Sequence, residues 1–235
     1  MIGLCSREYP VSGIDSIRPA SYIWHSLTLN RIKKMTKQLL LLLLAGGIFL
    51  TAPAQVQFGV KAGPSLYSLT GSDASGAKLL FGFHAGAFVK LPFSDQFSLQ
   101  PEVQYSMQGA KGTDNYTNYD FTDHNNYINV PLLFTFTHSS GLILQTGPQL
   151  SFLMSSKETE NGVTADTKKA FKSFDAGWAT GIGYVSPANI GFIFRYSAGW
   201  LNIENKDYTS GTGSQRNLGF QLSIFYLFGG SDDRY

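Results

Sequence analysis

Six side chains of the 235-residue chain have the types needed for shared chemistry: Lys61, His84, Lys90, Glu102, Asp175 and Arg195. Charges of both signs gathered in one place would form either an ion-pair network or a path for ions. A histidine beside an aspartate could instead exchange protons, and His84 and Asp175 are candidates for that role. A tighter group, Asp120, Asp123 and His124, lies within five residues. Histidine and aspartate in polar stretches are commonly solvated turn formers. No nucleophile elbow or metal-ligand spacing accompanies them. The expectation is therefore a protein that is not an enzyme, with no catalytic residue, no metal ligand and no cofactor. A third group, Tyr116, Tyr119 and Phe121, alternates with Asn and Asp, a composition suited to adaptable recognition of a protein or glycan partner.

Something must hold these scattered groups, and the hydrophobic pattern says what. From Phe97 to Met107, Phe97, Leu99, Val103, Tyr105 and Met107 fall on one face with Pro101, while Ser98, Gln100, Glu102, Gln104 and Ser106 fall on the other. That period of two belongs to a strand, since a helix would spread both sets around its circumference. The same alternation predicts strands over 56–68, 80–91, 97–109, 127–137, 142–154, 173–184, 190–202 and 217–228. Their connections alternate in length. Short ones cover 92–96, 138–141 and 185–189; long polar ones cover 69–79, 110–126, 155–172 and 203–216. The fold class expected is all-β: an eight-stranded antiparallel up-and-down barrel whose short turns lie at one end and long loops at the other. Short periplasmic turns with long external loops are the outer-membrane arrangement.

Charge placement separates a membrane barrel from a soluble, lipocalin-like one. Only Lys61, Lys90, Glu102, Asp175 and Arg195 are charged within these strand limits, and all five share the polar parity with His84. A soluble surface would be about a quarter to a third charged. A Lys or Arg facing lipid at the midplane costs about 2–4 kcal/mol, which explains a face cleared of charge. Aromatics at strand ends (Phe97, Phe136, Phe174, Tyr184, Trp200, Tyr226 and Phe228) fit interfacial girdles. An eight-stranded barrel is just wide enough to be filled by its own side chains. The charged residues are thus expected to pair across the lumen, Arg195 with Glu102, and to plug it; a small-solute channel is the alternative. Pro64, Pro101, Pro131 and Pro148 sit inside expected strands, where each forfeits a ladder hydrogen bond, so bulges or bends are expected there.

The N-terminal segment reads differently. Lys33, Lys34 and Lys37 precede the apolar run Leu39–Leu50, and Ala52-Pro53-Ala54 supplies small residues before Gln55. This is the pattern of a cleaved signal peptide, since a spanning helix needs about 20 apolar residues. The expected organisation is an over-extended N-terminus over 1–34, a signal-peptide helix over 35–54, the barrel over 55–229 and a short tail over 230–235. Residues 1–54 carry six of the 18 basic and two of the 16 acidic residues, leaving 12 and 14 in the remainder, a net charge of −2. The basic balance of the whole chain therefore gives no reason to expect a nucleic-acid partner. Cys5, the one cysteine, also falls in that segment.

Particular motifs carry a family resemblance. Tyr127-Ile128-Asn129-Val130-Pro131-Leu132-Leu133 resembles a signature strand of the PorT-type outer-membrane β-barrel family, common in Bacteroidetes. Gly59-Val60-Lys61-Ala62-Gly63, Gly147-Pro148-Gln149-Leu150-Ser151, Gly181-Ile182-Gly183-Tyr184, Arg195-Tyr196 followed by Gly199, and Gln221–Phe228 are similar to further family motifs in order and spacing. The resemblance covers about 56–228. It implies a monomer in the outer membrane of a Gram-negative bacterium, surrounded by outer-membrane lipid, inserted by the barrel-insertion machinery, and structural or interaction-based in role. The chain departs from the family in that Tyr226-Leu227-Phe228 is followed by GGSDDRY, where such barrels usually end on an aromatic strand residue.

Overall fold

The computed structural model describes residues 56–72, 74, 76–113, 120–208 and 213–228. The expected segments 1–34 and 35–54 and the tail 230–235 lie outside them.

Nine strands form among the described residues: β1 (Gln57–Thr70), β2 (Leu80–Pro92), β3 (Phe97–Thr113), β4 (Asp120–Thr137), β5 (Leu142–Glu160), β6 (Val163–Asp166), β7 (Phe174–Val185), β8 (Ile190–Gly199) and β9 (Arg216–Phe228). Eight of them close a ring in the order β1-β2-β3-β4-β5-β7-β8-β9, with β9 pairing back onto β1. Every pairing is antiparallel. The ninth strand, β6, folds back on the outer end of β5 and stays outside the ring.

Alternation sets the two faces of the wall. In β2, Phe81, Phe83, Ala85 and Ala87 are exposed, while Gly82, His84 and Phe88 are buried. In β9, Leu222, Ile224, Tyr226 and Phe228 are exposed, against buried Gln221, Ser223, Phe225 and Leu227. Apolar side chains thus face outward around a polar interior, the reverse of a soluble barrel, and this sets aside the lipocalin-like alternative. Polar groups on the outer wall bond to one another: Trp178 Nε1 donates to Thr146 Oγ1 (2.8 Å), and the Thr146 and Thr180 hydroxyls pair at 3.0 Å. Aromatic pairs ring the short-turn end, among them Phe93–Phe97, Phe97–Phe136, Tyr184–Phe192 and Tyr226–Phe228. Trp178–Trp200 and Phe152–Phe174 sit toward the other end.

Two expectations need correction. The segments 110–126 and 155–172 are not simply loops. β3 and β4 continue as a paired ladder up to Thr113 opposite Asp120, and β5 runs to Glu160 before turning into β6. Outside the lipid the outer face meets water and needs no apolar residues. The inward face, still buried at Ala110, Asp123, Asn125 and Ser156, is largely polar, so hydrophobic alternation is lost while the backbone groups still demand partners. Threonines support it, as in the Thr159–Thr164 hydroxyl pair at 2.9 Å. The prolines, second, do not shift register. Pairing pauses beside Pro64 between Ala62↔Ile224 and Ser65↔Gln221 and resumes in the same register. The ladder does likewise beside Pro101 and Pro131. The register shift in the β4–β5 ladder lies at Asn126/Tyr127, where Asn126↔Ser155 is followed by Tyr127↔Leu153. No proline is involved; Met154 is the extra residue, and the buried parity of β5 passes from Leu153 to Ser156 across it.

Inside, large side chains sit over glycines. A Cβ on Gly59 would meet Phe88 Cζ at 2.3 Å, on Gly191 Phe225 Cζ at 2.3 Å, and on Gly219 Tyr67 Cε1 at 2.0 Å. Gly219→Val should therefore displace the Tyr67 ring and cost about 1–3 kcal/mol, as overpacking does. A urea titration of the refolded barrel, with Gly162→Ala (no atom within 4 Å of its Cβ, but φ +79°) as a control for backbone strain alone, measures it.

Candidate functional site: the barrel lumen

The lumen is built in layers along the barrel axis. Phe88, Ile143, Val185, Ile193, Phe225 and Leu227 form an apolar cluster at the short-turn end. Leu69, Ala110 and Ile203, with Ala74, Ala77 and Phe171 packed against them, form another at the long-loop end. Polar side chains fill the space between.

At the centre, Glu102 on β3 receives two cations. Arg195 on β8 binds it through both guanidinium ends, Nη1 to Oε2 at 2.8 Å and Nη2 to Oε1 at 2.9 Å. Lys61 on β1 forms the second ion pair, to Oε2. Gln100 Nε2 donates to Glu102 Oε1 (2.8 Å), and Gln145 Oε1 accepts from Arg195 Nη2 (2.8 Å). Lys61, Glu102 and Arg195 are 4%, 2% and 1% exposed. Burial at that depth demands such pairing, because one unpartnered charge costs several kcal/mol. Forked geometry lets one arginine hold both carboxylate oxygens from the far wall.

The other three groups of the expected network lie elsewhere. His84 Nε2 bonds Ser223 Oγ at 2.7 Å, and Lys90, nearer the short-turn end, donates to Thr137 Oγ1 at 3.2 Å. Asp175 lies toward the long-loop end, where Asn217 Nδ2 donates to its Oδ2 at 3.0 Å. His84 and Asp175 thus bond separate partners. All six side chains point inward, but only Lys61, Glu102 and Arg195 join directly.

Strand geometry also divides the acidic group of the outer hairpin. Asp123 turns inward and is buried, whereas its neighbour His124 lies on the opposite face. Asp120 accepts from Thr113 Oγ1 at 2.8 Å. Phe121, expected in a loop, is a β4 residue opposite Gly112, over which its ring packs. Tyr116 and Tyr119 lie outside the described residues.

Asp123 lies beyond the about 9–11 residues that a tilted strand needs to cross a bilayer, counted from the short-turn end. Burial, and then the Glu158 carboxylate opposite, push its pKa up from 3.8 to about 7. The folded hairpin therefore holds this proton more tightly than an opened one. Its contribution to stability is full below pH about 4 and declines as pH rises to about 7. Amide protection of the β4–β5 extension, corrected for intrinsic exchange, should fall across that window, and Asp123→Asn should flatten the dependence.

Sequence reasoning did not anticipate the two apolar end clusters. Phe88 shares the parity of Gly82, His84 and Gly86, so an aromatic among polar inward positions was the available signal.

Residues 51–204 match the family model described as outer membrane protein beta-barrel domain. The fold is similar to neisserial surface protein A, NspA (17% identity, 72% of this chain and 96% of that one, TM-score 0.48). It is similar also to Ail, the attachment invasion locus protein of Yersinia pestis (12%, 73% and 98%, 0.45). The outer membrane protein OprG from Pseudomonas aeruginosa compares at 11%, 75% and 98%, with a TM-score of 0.48. No curated protein sequence matches the chain.

Proposed function

This chain belongs to the outer membrane protein β-barrel domain family, and from that premise we propose that it is a closed-lumen scaffold presenting its outer β-hairpins to a protein or glycan at the cell surface. It is an outer-membrane β-barrel of a Gram-negative bacterium. The PorT-like motifs around Pro131 and Pro148 support a structural or interaction role of the kind seen in that branch, filled by a monomer that reaches the membrane through a signal peptide and the barrel-insertion machinery.

The observation that carries this reading is the layered lumen: apolar clusters at both ends and a buried, ion-paired centre between them. A solute path would have to cross apolar side chains twice and break a doubly paired carboxylate. Outside the lipid, paired strands rather than unpaired chain support the surface, which gives a binding face rigidity at low entropic cost. His84 and the Ser223 hydroxyl do pair, but both are buried, and no carboxylate holds His84 Nδ1, which favours a non-catalytic role.

Planar-bilayer recording tests the closed lumen. The purified barrel should give no stable open-channel steps, whereas steady unitary conductance would favour the channel reading. Deleting 111–122 and joining the strands should leave the barrel folded and abolish surface partner capture. Unchanged capture would overturn the recognition role of that hairpin.

A further inference from the structure

Between the central ion pairs and the cluster at the long-loop end lies a small, largely enclosed cavity of about 10 Å³. Its lining includes Asp175, Asn217, Gln149, Ser151, Ser197 and Gly199. That volume admits one water-sized guest. Three of these side chains direct unusual chemistry into the wall. Asp175, Asn217 and Gln149 are 3%, 6% and 7% exposed, and among the described residues Asp175 Oδ1, Asn217 Oδ1 and Gln149 Oε1 have no close hydrogen-bond partner. All three atoms are acceptors. The donors of the two amides are already used, Asn217 Nδ2 on Asp175 and Gln149 Nε2 on Ser151 Oγ (3.3 Å). The backbone amides of Ala176 and Leu201 approach the Asp175 carboxylate as hydrogen-bond donors, and the buried Tyr127 hydroxyl approaches Asn217, but none of these brings a positive charge.

Glu102 has two cations, whereas the ion pairs among the described residues give Asp175 none. Buried carboxylates are normally paired with a cation or coordinate a metal ion. Gly199 is what lets the Asp175 carboxylate sit against the β8 backbone: a Cβ there would meet Asp175 Oδ2 at 2.7 Å.

We propose that this cavity binds a single monovalent cation of sodium's size, held by Asp175, Asn217 and Gln149. One carboxylate among neutral oxygens matches a single positive charge, while a divalent ion would leave a net charge buried. Oxygen-only donors suit a hard cation. The site braces β7 against β9 and β5, beneath the surface hairpins.

The test uses the protein purified from membranes in detergent and equilibrated at constant ionic strength in sodium chloride or choline chloride. Thermal unfolding is followed by heat-modifiable mobility. In sodium the midpoint should rise by roughly 3–5 °C for each tenfold increase once the site is filling. Choline should give no rise. Asp175→Asn should abolish the sodium response and, in choline, match or exceed the unsubstituted protein. Equal midpoints in sodium and choline would overturn the proposal in favour of a bound water or a protonated Asp175. A sodium response surviving in Asp175→Asn would overturn it in favour of an effect elsewhere. Should that variant fail to fold, crystals of the unsubstituted protein soaked in thallium(I) decide: an anomalous peak beside Asp175 supports the site, and its absence refutes it.

Discussion

Glu102→Gln should destabilise the barrel by about 3–5 kcal/mol, the usual cost of stranding buried charge. The substitution keeps shape and volume and removes only the negative charge between Lys61 and Arg195. Two cations would then face each other across a lumen in which they are at most 4% exposed. Water cannot rescue them without opening an apolar end cluster. The loss should show as a lower urea midpoint for refolding into vesicles, at an unchanged m-value. A second substitution discriminates charge from shape: Glu102→Gln with Lys61→Met should recover part of the loss, because only one cation then lacks a partner. If the double variant is less stable than Glu102→Gln by the full cost of Lys61→Met alone, the two residues are not coupled and the ion-pair account fails.

Leu222→Arg should cost about 2–4 kcal/mol, and Phe228→Arg only about 0–1 kcal/mol. Both side chains point outward from β9, exposed by 47% and 48%. They differ in depth, Leu222 near the middle of the strand and Phe228 at its short-turn end. A soluble protein with equally exposed positions would tolerate both. Folding titrations in phosphatidylcholine vesicles give the two values, and equal costs would contradict a lipid-facing wall centred on Leu222.

Much of this was legible in the residues themselves. Strand alternation located all eight ring strands and turned Lys61, His84, Lys90, Glu102, Asp175 and Arg195 inward, because each side of the wall meets a different solvent. Partnership was harder to read. Parity says which face a side chain takes, and counting up the strands matched Glu102 with Arg195 and put His84 and Asp175 toward the outer halves of theirs. Neither names a neutral partner, so Ser223 for His84 and Asn217 for Asp175 stayed hidden. The extensions of β3, β4 and β5 escaped notice for the converse reason. Above the lipid the outer face turns polar while the inward face is polar already, hydrophobic alternation stops, and Asn, Asp and Gly look like turn residues even when Asn125 and Gly109 sit within a ladder. The prolines misled because a missing N–H removes one bond without adding a residue, and only an added residue, as at Met154, changes parity.

The contact of Tyr67 with Gly219 bears on how the ring is sealed. These residues stand opposite each other on β1 and β9, the first and last strands among the described residues. If β9 arrived two residues out of step, Tyr67 would confront Gln221 or Asn217, both of which carry side chains where the ring must lie. A slip of one residue would turn Arg195's neighbour Gln221 out of the lumen and bring an apolar residue in. The joint between β1 and β9 is therefore keyed: the aromatic fits one notch, and only one closing register of the ring fills it.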